Sequence, residues 1–578
     1  MARAAIRRRF LFVGNRGVHY RRTGKGPPIV LIHQSPQSSA GVVPLMQRLA
    51  PHATVFAFDT PGCGDSDALP KRHPRIPDYA RALAETLDVL GLDKVTLFGT
   101  KTGACIALEY ARAFPHRVQG VVFDSLPVFT KAEVADMTRV VRTADGDDAH
   151  YLMPFRPVWD GSHLISTWSH VRDHVFWFPW YRREARARRQ IDMPSPEAMH
   201  AGVLDNFRAG DDLRIVVEAA FRYETLRAVK ALRVPATFVS REEDMLFHCL
   251  AMLPRLRRHQ VIRPLGRDMG AYYAAVTAGL RGYAKGLTAA ESAVKPPPRR
   301  TTRFFADRAG DRQLLFRHRE GTGTDVTPLV LLHDAPGSSR QLEPLIEVLA
   351  GARPLLAPDL PGSGDSSALP RQPVVADFAK ELRSTLVDIG GGRVDLYGEG
   401  TGATLALALA VLWPRGVRRL VLDGLLLPNA AARRTLAARM TPDITPSWDG
   451  AHLYRTWLMM RDRHIYWPWY ERRREAIRRV DLTQSPAALH DRVFEVLTAW
   501  STYHQPVQAA LRHDAARDLP GLKMPVLIMA TEGDPAEADV ARAARMAPDS
   551  RVAEVAARHH EKAAAIRAFL TARSLAAR

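Results

Sequence analysis

Two short stretches of the chain set one residue between a β-like apolar run and a helix-like run, with glycines on either side. The first, "FGTKTGA" (98–104), follows Val95-Thr96-Leu97 and leads into Cys105-Ile106-Ala107; the second is "YGEGTGA" (397–403). A strand–turn–helix of the form G-x-S-x-G lifts its central side chain clear of the backbone, where a serine acts as nucleophile. The central residues here are Lys101 and Gly400. A lysine at such a point can act as a desolvated amine, hold a substrate carboxylate as a fixed cation, or close an ion pair with a nearby acid. A glycine offers no side chain at all. A phosphate loop is excluded, because G-x-x-x-x-G-K-[ST] needs glycine directly before the lysine and Thr100 stands there.

The two turns belong to a longer repetition. "VLIHQSPQSS" (30–39) returns as "VLLHDAPGSS" (330–339), and "FDTPGCGDSDALP" (58–70) as "PDLPGSGDSSALP" (358–370). "WDGSHLISTWSHVRDHVFWFPWY" (159–181) matches "WDGAHLYRTWLMMRDRHIYWPWY" (448–470) without a gap, and "VPATFVSREED" (234–244) pairs with "MPVLIMATEGD" (524–534). A period of this length describes two whole domains rather than a solenoid. The expected division is 1–291 and 304–578, joined by a proline- and arginine-bearing linker at 292–303.

Within each half, short apolar runs alternate with helical ones, the pattern of a mostly parallel sheet covered by helices in an α/β domain. Strands are expected at Pro28–His33, Thr54–Asp59, Lys94–Gly99, Val118–Asp124, Pro235–Ser240 and Gln260–Leu265. The tryptophan- and arginine-rich segments at about 127–231 and about 426–521 break the alternation and are expected to form inserted helical caps. In the repeated cap motif, Trp168 and Arg172 lie four apart and share a helix face. An aromatic and arginine face suits a flat or anionic ligand. His163, Arg172, Trp180, His452, Arg461 and Trp469 are the cap residues marked as binding candidates, against the alternative that they pack.

The net charge of +20 is spread along the 578 residues. The runs Arg182–Arg189 and Arg472–Arg479 are expected to be solvated helix faces, and no nucleic-acid motif accompanies them. No specific nucleic-acid partner is expected. The start "MARAAIRRRFLFVGN" reads as a first strand rather than a secretory leader, and no apolar stretch is long enough to cross a membrane. Three dispersed cysteines in no metal spacing make a disulfide framework unexpected and fit a reducing, cytoplasmic setting; no metal and no cofactor are expected.

Taken in order, these motifs resemble the α/β-hydrolase fold superfamily, once per half. "HQSP" and "HDAP" resemble its H-G-x-P oxyanion loop, "DTPGCGDS" and "DLPGSGDS" its D-x-P-G-x-G-x-S turn, and the glycine-flanked turns its nucleophile elbow. The resemblance implies an acid after a late strand and a histidine near the end of each half. Asp244, with Glu243 as substitute, and Asp534 match the acid; Asp124 and Asp423 compete with them. His559 or His560 matches the histidine in the second half, while "GRDMGAYY" (266–273) holds none in the first. The oxyanion amides would belong to Thr102 and Gln34, and to Thr401 and Asp334, with His33 and His333 bracing the loop.

Neither half has the parts for Ser-His-Asp acyl transfer. The leading expectation is an atypical hydrolase of a small ester, lactone or related carbonyl compound. Its acid–base chemistry would fall to Asp534 with His559 or His560, around a water in the space that Gly400 leaves. The alternatives are an inactive pseudo-hydrolase that binds a small, anionic or aromatic molecule or builds a pseudo-dimer, and a non-hydrolytic acid–base enzyme. The oligomeric state is open.

Overall fold

The computed structural model describes residues 4–142, 156–286, 300–323, 327–478, 480, 484–555 and 558–572. The chain divides into two compact units, one drawn from residues 1–297 and the other from 298–578, with the stretch 157–161 grouped with the second.

In the first unit β1 (Arg7–Val13), β2 (Arg16–Thr23), β3 (Pro28–Ile32), β4 (Thr54–Phe58), β5 (Val95–Thr100), β6 (Val118–Asp124), β7 (Ala236–Arg241) and β8 (Gln260–Leu265) form one sheet, ordered β1-β2-β4-β3-β5-β6-β7-β8. The β1–β2 and β2–β4 pairs are antiparallel, and the pairs from β4–β3 to β7–β8 are parallel. The six expected strands appear, each within one residue of its expected ends. Ile29, Val30 and Leu31 are wholly buried, as a parallel strand covered on both faces must be. On one face the helices Ile76–Val89 and Thr102–Ala113 contribute Leu87, Ile106 and Leu108 to the core. On the other, Val43–Leu49 and Met269–Tyr283 contribute Met46 and Val276.

The second unit repeats the plan. Its strands are β9 (Thr302–Asp307), β10 (Gln313–Arg319), β11 (Leu329–Leu332), β12 (Leu355–Pro358), β13 (Val394–Glu399), β14 (Val417–Asp423), β15 (Val526–Thr531) and β16 (Ser550–Val555). They run β9-β10-β12-β11-β13-β14-β15-β16 across the sheet, the same order as in the first unit.

Between β6 and β7 the described residues form five helices, from Lys131–Arg142 to Thr225–Ala231, and helices fill the corresponding interval between β14 and β15. Residues 292–299 of the expected linker lie outside the described residues, and Thr302 and Arg303 already belong to β9. The arginine runs differ from expectation. Instead of helix faces, the chain doubles back: Trp177 bridges to Arg188 and Tyr466 to Ile477, with only the short turns Ala185–Ala187 and Arg474–Ala476 between. Helix propensity of arginine and alanine is a weak prior, and this tertiary pairing overrides it. Arg479 lies outside the described residues. Cys63, Cys105 and Cys249 are buried and unbonded. No helix among the described residues is long and apolar enough to cross a membrane.

Candidate functional site

Both turns adopt one positive-φ geometry. Lys101 has φ 49° and ψ −112°, and Gly400 has φ 55° and ψ −115°. Each caps the helix that follows, Thr102–Ala113 or Thr401–Leu412, and is anchored by its N–H to a strand-end carbonyl, that of Asp124 (3.0 Å) or Asp423 (2.9 Å). The turn glycines are obligatory: a Cβ on Gly103 would lie 2.3 Å from the Ile32 carbonyl oxygen, and one on Gly402 2.2 Å from that of Leu332. A positive φ at a lysine costs on the order of 1–3 kcal/mol and marks a position that the surrounding fold over-determines.

The loops beside the turns are held by buried imidazoles. His33 Nε2 accepts the Thr60 N–H (2.9 Å), which leaves Nδ1 to donate to the Gln34 carbonyl (2.9 Å). His333 does the same between the Leu360 N–H (2.9 Å) and the Asp334 carbonyl (2.7 Å). Burial pushes both imidazoles below the usual range, so they are neutral braces. Asp59 fixes the next turn by accepting from the Ser39 and Asp65 N–H groups and from His19. His19, Asp59 and Asp65 stand close enough to hold a metal ion, but the Arg8 guanidinium already donates to His19 Nε2 (3.3 Å) and Asp65 (3.2 Å).

In the first unit Lys101 Nζ lies 3.2 Å from Asp244 Oδ2. The pair borders a cavity of about 410 Å³, within the range of small-ligand sites. Its wall is largely apolar, with Phe129, Phe178, Trp180 and Phe221, and Arg189, Arg241 and His174 add cationic or polar groups. Thr102 also borders the cavity, and among the described residues its N–H has no acceptor. Arg189 donates to the carbonyls of His174 (3.1 Å) and Val175 (3.4 Å), and its Nε is buried without an acceptor. His174 is pushed down to about 4 by burial and by the charges of Arg189 and Lys101.

The second unit fills the same place differently. Asp334 Oδ1 accepts the Thr401 N–H (2.9 Å), and its Oδ2 pairs with Arg463 Nη2 (2.8 Å). A Cβ on Gly400 would lie 2.4 Å from Asp334 Oδ1. The room left by glycine therefore holds a carboxylate of the chain itself, which corrects the expectation of a water there. The remaining cavity is about 180 Å³.

Asp534 borders that cavity, but neither histidine reaches it. Its Oδ1 accepts the Ala536 N–H (2.8 Å), and among the described residues it has no imidazole partner. His559 and His560 open the helix His559–Thr571 and are exposed. The charged group that this helix buries is Lys562, whose Nζ meets Asp423 (2.7 Å) and Glu399 (3.1 Å). Tyr272, in the matching place of the first unit, donates to Asp124 at 2.8 Å. Asp124 and Asp423 are thus engaged below the turns and border neither cavity.

Of the cap candidates, Trp180 alone lines either of these two cavities; it stacks on His174 with ring centroids 4.6 Å apart. Trp168 and Arg172 lie on the wrong face of the helix Ser162–Phe176, since His170, Val171, His174 and Val175 face the cavity. In the second unit Met460, Arg463, His464 and Trp467 do so. His163 and Arg172 lie away from the cavity, Arg172 against the Phe176 ring. His452 Nδ1 accepts the Ser447 N–H, Arg461 lies beside Asp462, and Trp469 donates to the Met440 carbonyl, so these three brace the insert. Arg189 and Arg478 each line a cavity, and neither is among the site residues expected from the sequence. Each stands eight residues past the repeated "PWY", an ungapped extension of the motif.

The two late acids show how the turn residue sets their chemistry. Each accepts one backbone N–H, from Leu246 or Ala536. Burial acts to raise Asp244, yet the Lys101 ammonium holds it below the ordinary range; in the second unit the turn residue is glycine and supplies no cation, and burial pushes Asp534 up to about 6. A raised carboxyl binds a proton in the native state that the unfolded chain lacks, so stability falls as pH rises from the usual carboxyl range to about 6. Asp534→Asn, which keeps the N–H acceptor, is expected to stabilise the second unit by about 1–2 kcal/mol at about pH 8 and to change little below about pH 4. Hydrogen exchange in the second sheet measures both.

Known proteins are similar to each half. A family model described as "alpha/beta hydrolase fold" matches residues 27–151, and one described as "Alpha/beta hydrolase family" matches 329–569. An uncharacterized protein of Mycobacterium tuberculosis is 33% identical over 134 residues, 23% of this chain and 39% of that protein. A 2-hydroxy-6-oxo-2,4-heptadienoate hydrolase of Pseudomonas putida is 32% identical over 120 residues, 20% of this chain and 42% of that enzyme. The chain therefore spans less than half the length of these relatives. The enol-lactonase from Burkholderia xenovorans aligns at 16% identity over 45% of this chain and 94% of its own, with a TM-score of 0.35. With one sheet order, one positive-φ turn and one hydrolase-family match in each half, the chain belongs to the α/β-hydrolase fold superfamily and carries that fold twice in tandem.

Proposed function

We propose that the first domain binds a small unsaturated or aromatic carboxylate, and that neither domain forms an acyl-enzyme. One observation carries the reading: in the second domain the amide after the turn is occupied by a carboxylate, that of Asp334, with Arg463 on its other oxygen. The first domain has the matching amide, Thr102 N–H, without an acceptor among the described residues, and it borders a cavity that also presents Lys101 and Arg189. Gln34, which replaces Asp334, supplies no anion, so the carboxylate comes from a ligand. Aromatic walls suit its flat body. The relative named for a heptadienoate acts on a compound of this class, which supports the choice.

Calorimetric titration of the full chain with trans-cinnamate tests the reading. Saturable binding is expected, weakened about tenfold or more in Arg189→Ala and with uncharged cinnamamide, as loss of a charge-assisted hydrogen bond implies. Equal affinity for acid and amide would overturn it. So would a p-nitrophenol burst stoichiometric with protein on mixing with p-nitrophenyl acetate.

The open Thr102 amide also favours a second reading, hydrolysis in the first domain without a covalent intermediate. There the oxyanion would rest on Thr102 N–H and Lys101, with Asp244 directing water. Steady turnover of p-nitrophenyl esters without a burst, abolished in Lys101→Ala, would favour it over binding alone.

A further inference from the structure

The cavity of the second domain holds more positive charge than the Asp334–Arg463 pair uses. Arg463, Arg478, Arg492 and His464 line its roughly 180 Å³, together with Asp334, Asp534 and an apolar wall that includes Met460 and Trp467. Arg478 is fixed by donating to the carbonyls of Arg463 (2.9 Å) and Gly533 (3.2 Å), and its Nε is buried without an acceptor. Arg492 projects from the helix Pro486–Thr498, and among the described residues its side chain makes no hydrogen bond and no ion pair. Glu399, the acid whose charge Arg492 also feels, is engaged by Lys562 at 3.1 Å. His513, also on the wall, pairs with Asp518 at 2.8 Å, and neither relieves Arg492.

From this arrangement we infer a second, separate ligand site: the cavity around Arg492 and Arg478 binds one compact monocarboxylate with an apolar body, of about the size of benzoate. Three guanidiniums face two carboxylates, so one monoanion balances the site. A dry cavity of about 150 Å³ accommodates benzene, so this slightly larger space takes a ring together with its carboxylate. The oxyanion amide is closed to the ligand, because Asp334 occupies it. The carboxylate instead lies between the Arg492 and Arg478 side chains, while the ring lies against Met460 and Trp467. The neutral state of His464, pushed down to about 4 by burial and then by Arg492, Arg463 and Arg478, agrees with three guanidiniums converging there.

This site does not depend on the first domain, and the experiment separates the two. Full-length protein carrying Arg189→Ala is titrated calorimetrically with sodium benzoate at fixed ionic strength, alone and with Arg492→Gln added. One site is expected in the Arg189→Ala protein, weakened about tenfold or more by Arg492→Gln and less by Arg492→Lys, which keeps charge but loses the planar fork. Unchanged melting temperatures show that the variants are folded. Benzoate affinity equal within about twofold with and without Arg492→Gln overturns the inference, as does no binding up to about 10 mM. Inorganic phosphate binding in place of benzoate overturns the ligand class. Failure of cinnamate to lose affinity in Arg189→Ala bears on the first domain alone.

Discussion

Lys562→Ala is expected to lower the unfolding free energy of the second domain by about 3–5 kcal/mol, while His559→Ala and His560→Ala each stay within about 0.5 kcal/mol. The contrast follows from where the helix His559–Thr571 points its first turn. Both imidazoles are exposed, whereas the Lys562 side chain retains about 10% of its accessible surface. Its Nζ lies between Asp423, which is buried and accepts a further bond from the Tyr397 hydroxyl (2.7 Å), and the partly exposed Glu399. Burial works against the lysine's charge, but the two carboxylates hold it well above the ordinary range. Burial likewise raises Asp423. Removing the cation strands a buried carboxylate, which is the costly half of breaking such a pair. Lys562→Met keeps most of the packing and isolates the charge; adding Asp423→Asn should then recover about 2 kcal/mol or more. Hydrogen exchange in β14 and β15 reads the second domain without assuming that the chain unfolds in one step. A Lys562→Ala protein as protected as His559→Ala would remove the ion cluster from the account of this domain.

The fold was legible because its signals are local and occur twice. Alternation of apolar runs with helices set the strands, and Val118–Asp124 and Gln260–Leu265 end where the pattern ends. The site was legible only in part. The turn residues and late acids are bound to strand ends, so their positions follow from the motifs. What lines the cavities depends on which face of a helix turns inward, and the inserts gave no such sign: Trp168 and Arg172 share a face, yet His170 and His174 look into the cavity. Arg189 and Arg478 were hidden in runs whose composition reads as a solvated helix, although the repeat keeps them in step. Lys562 was overlooked beside two histidines, because a family pattern directs attention to imidazole and says nothing of burial. Asp334 stood in plain view as a departure from glycine. Its consequence, a carboxylate docked at Gly400, appears only when the two loops are set side by side.

Gly400→Ser is expected to destabilise the second domain by about 2–4 kcal/mol, and Asp334→Gly to relieve part of that cost in the double variant. The backbone is the smaller share. Lys101 holds almost the same φ and ψ in the first domain, so a side chain can stand on this turn at a cost of order 1–2 kcal/mol. The larger share is the collision: a Cβ here lies 2.4 Å from Asp334 Oδ1 and 2.7 Å from its Cγ. Serine must push the carboxylate away, so the Thr401 N–H loses its acceptor and Arg463 its partner. Asp334→Gly alone removes a pair that solvent partly screens, with side chains 31% and 18% exposed, and should cost no more than about 1 kcal/mol. In the double variant serine has room and Thr401 N–H is free, so the two changes should couple favourably by about 1–3 kcal/mol. Hydrogen exchange along the helix Thr401–Leu412 in the four proteins gives that coupling directly. Strict additivity would mean that the carboxylate does not stand where the nucleophile's side chain would begin. Strong coupling would identify Asp334 as the group that closes this turn, and would make the double variant the protein in which the second domain's oxyanion site is open.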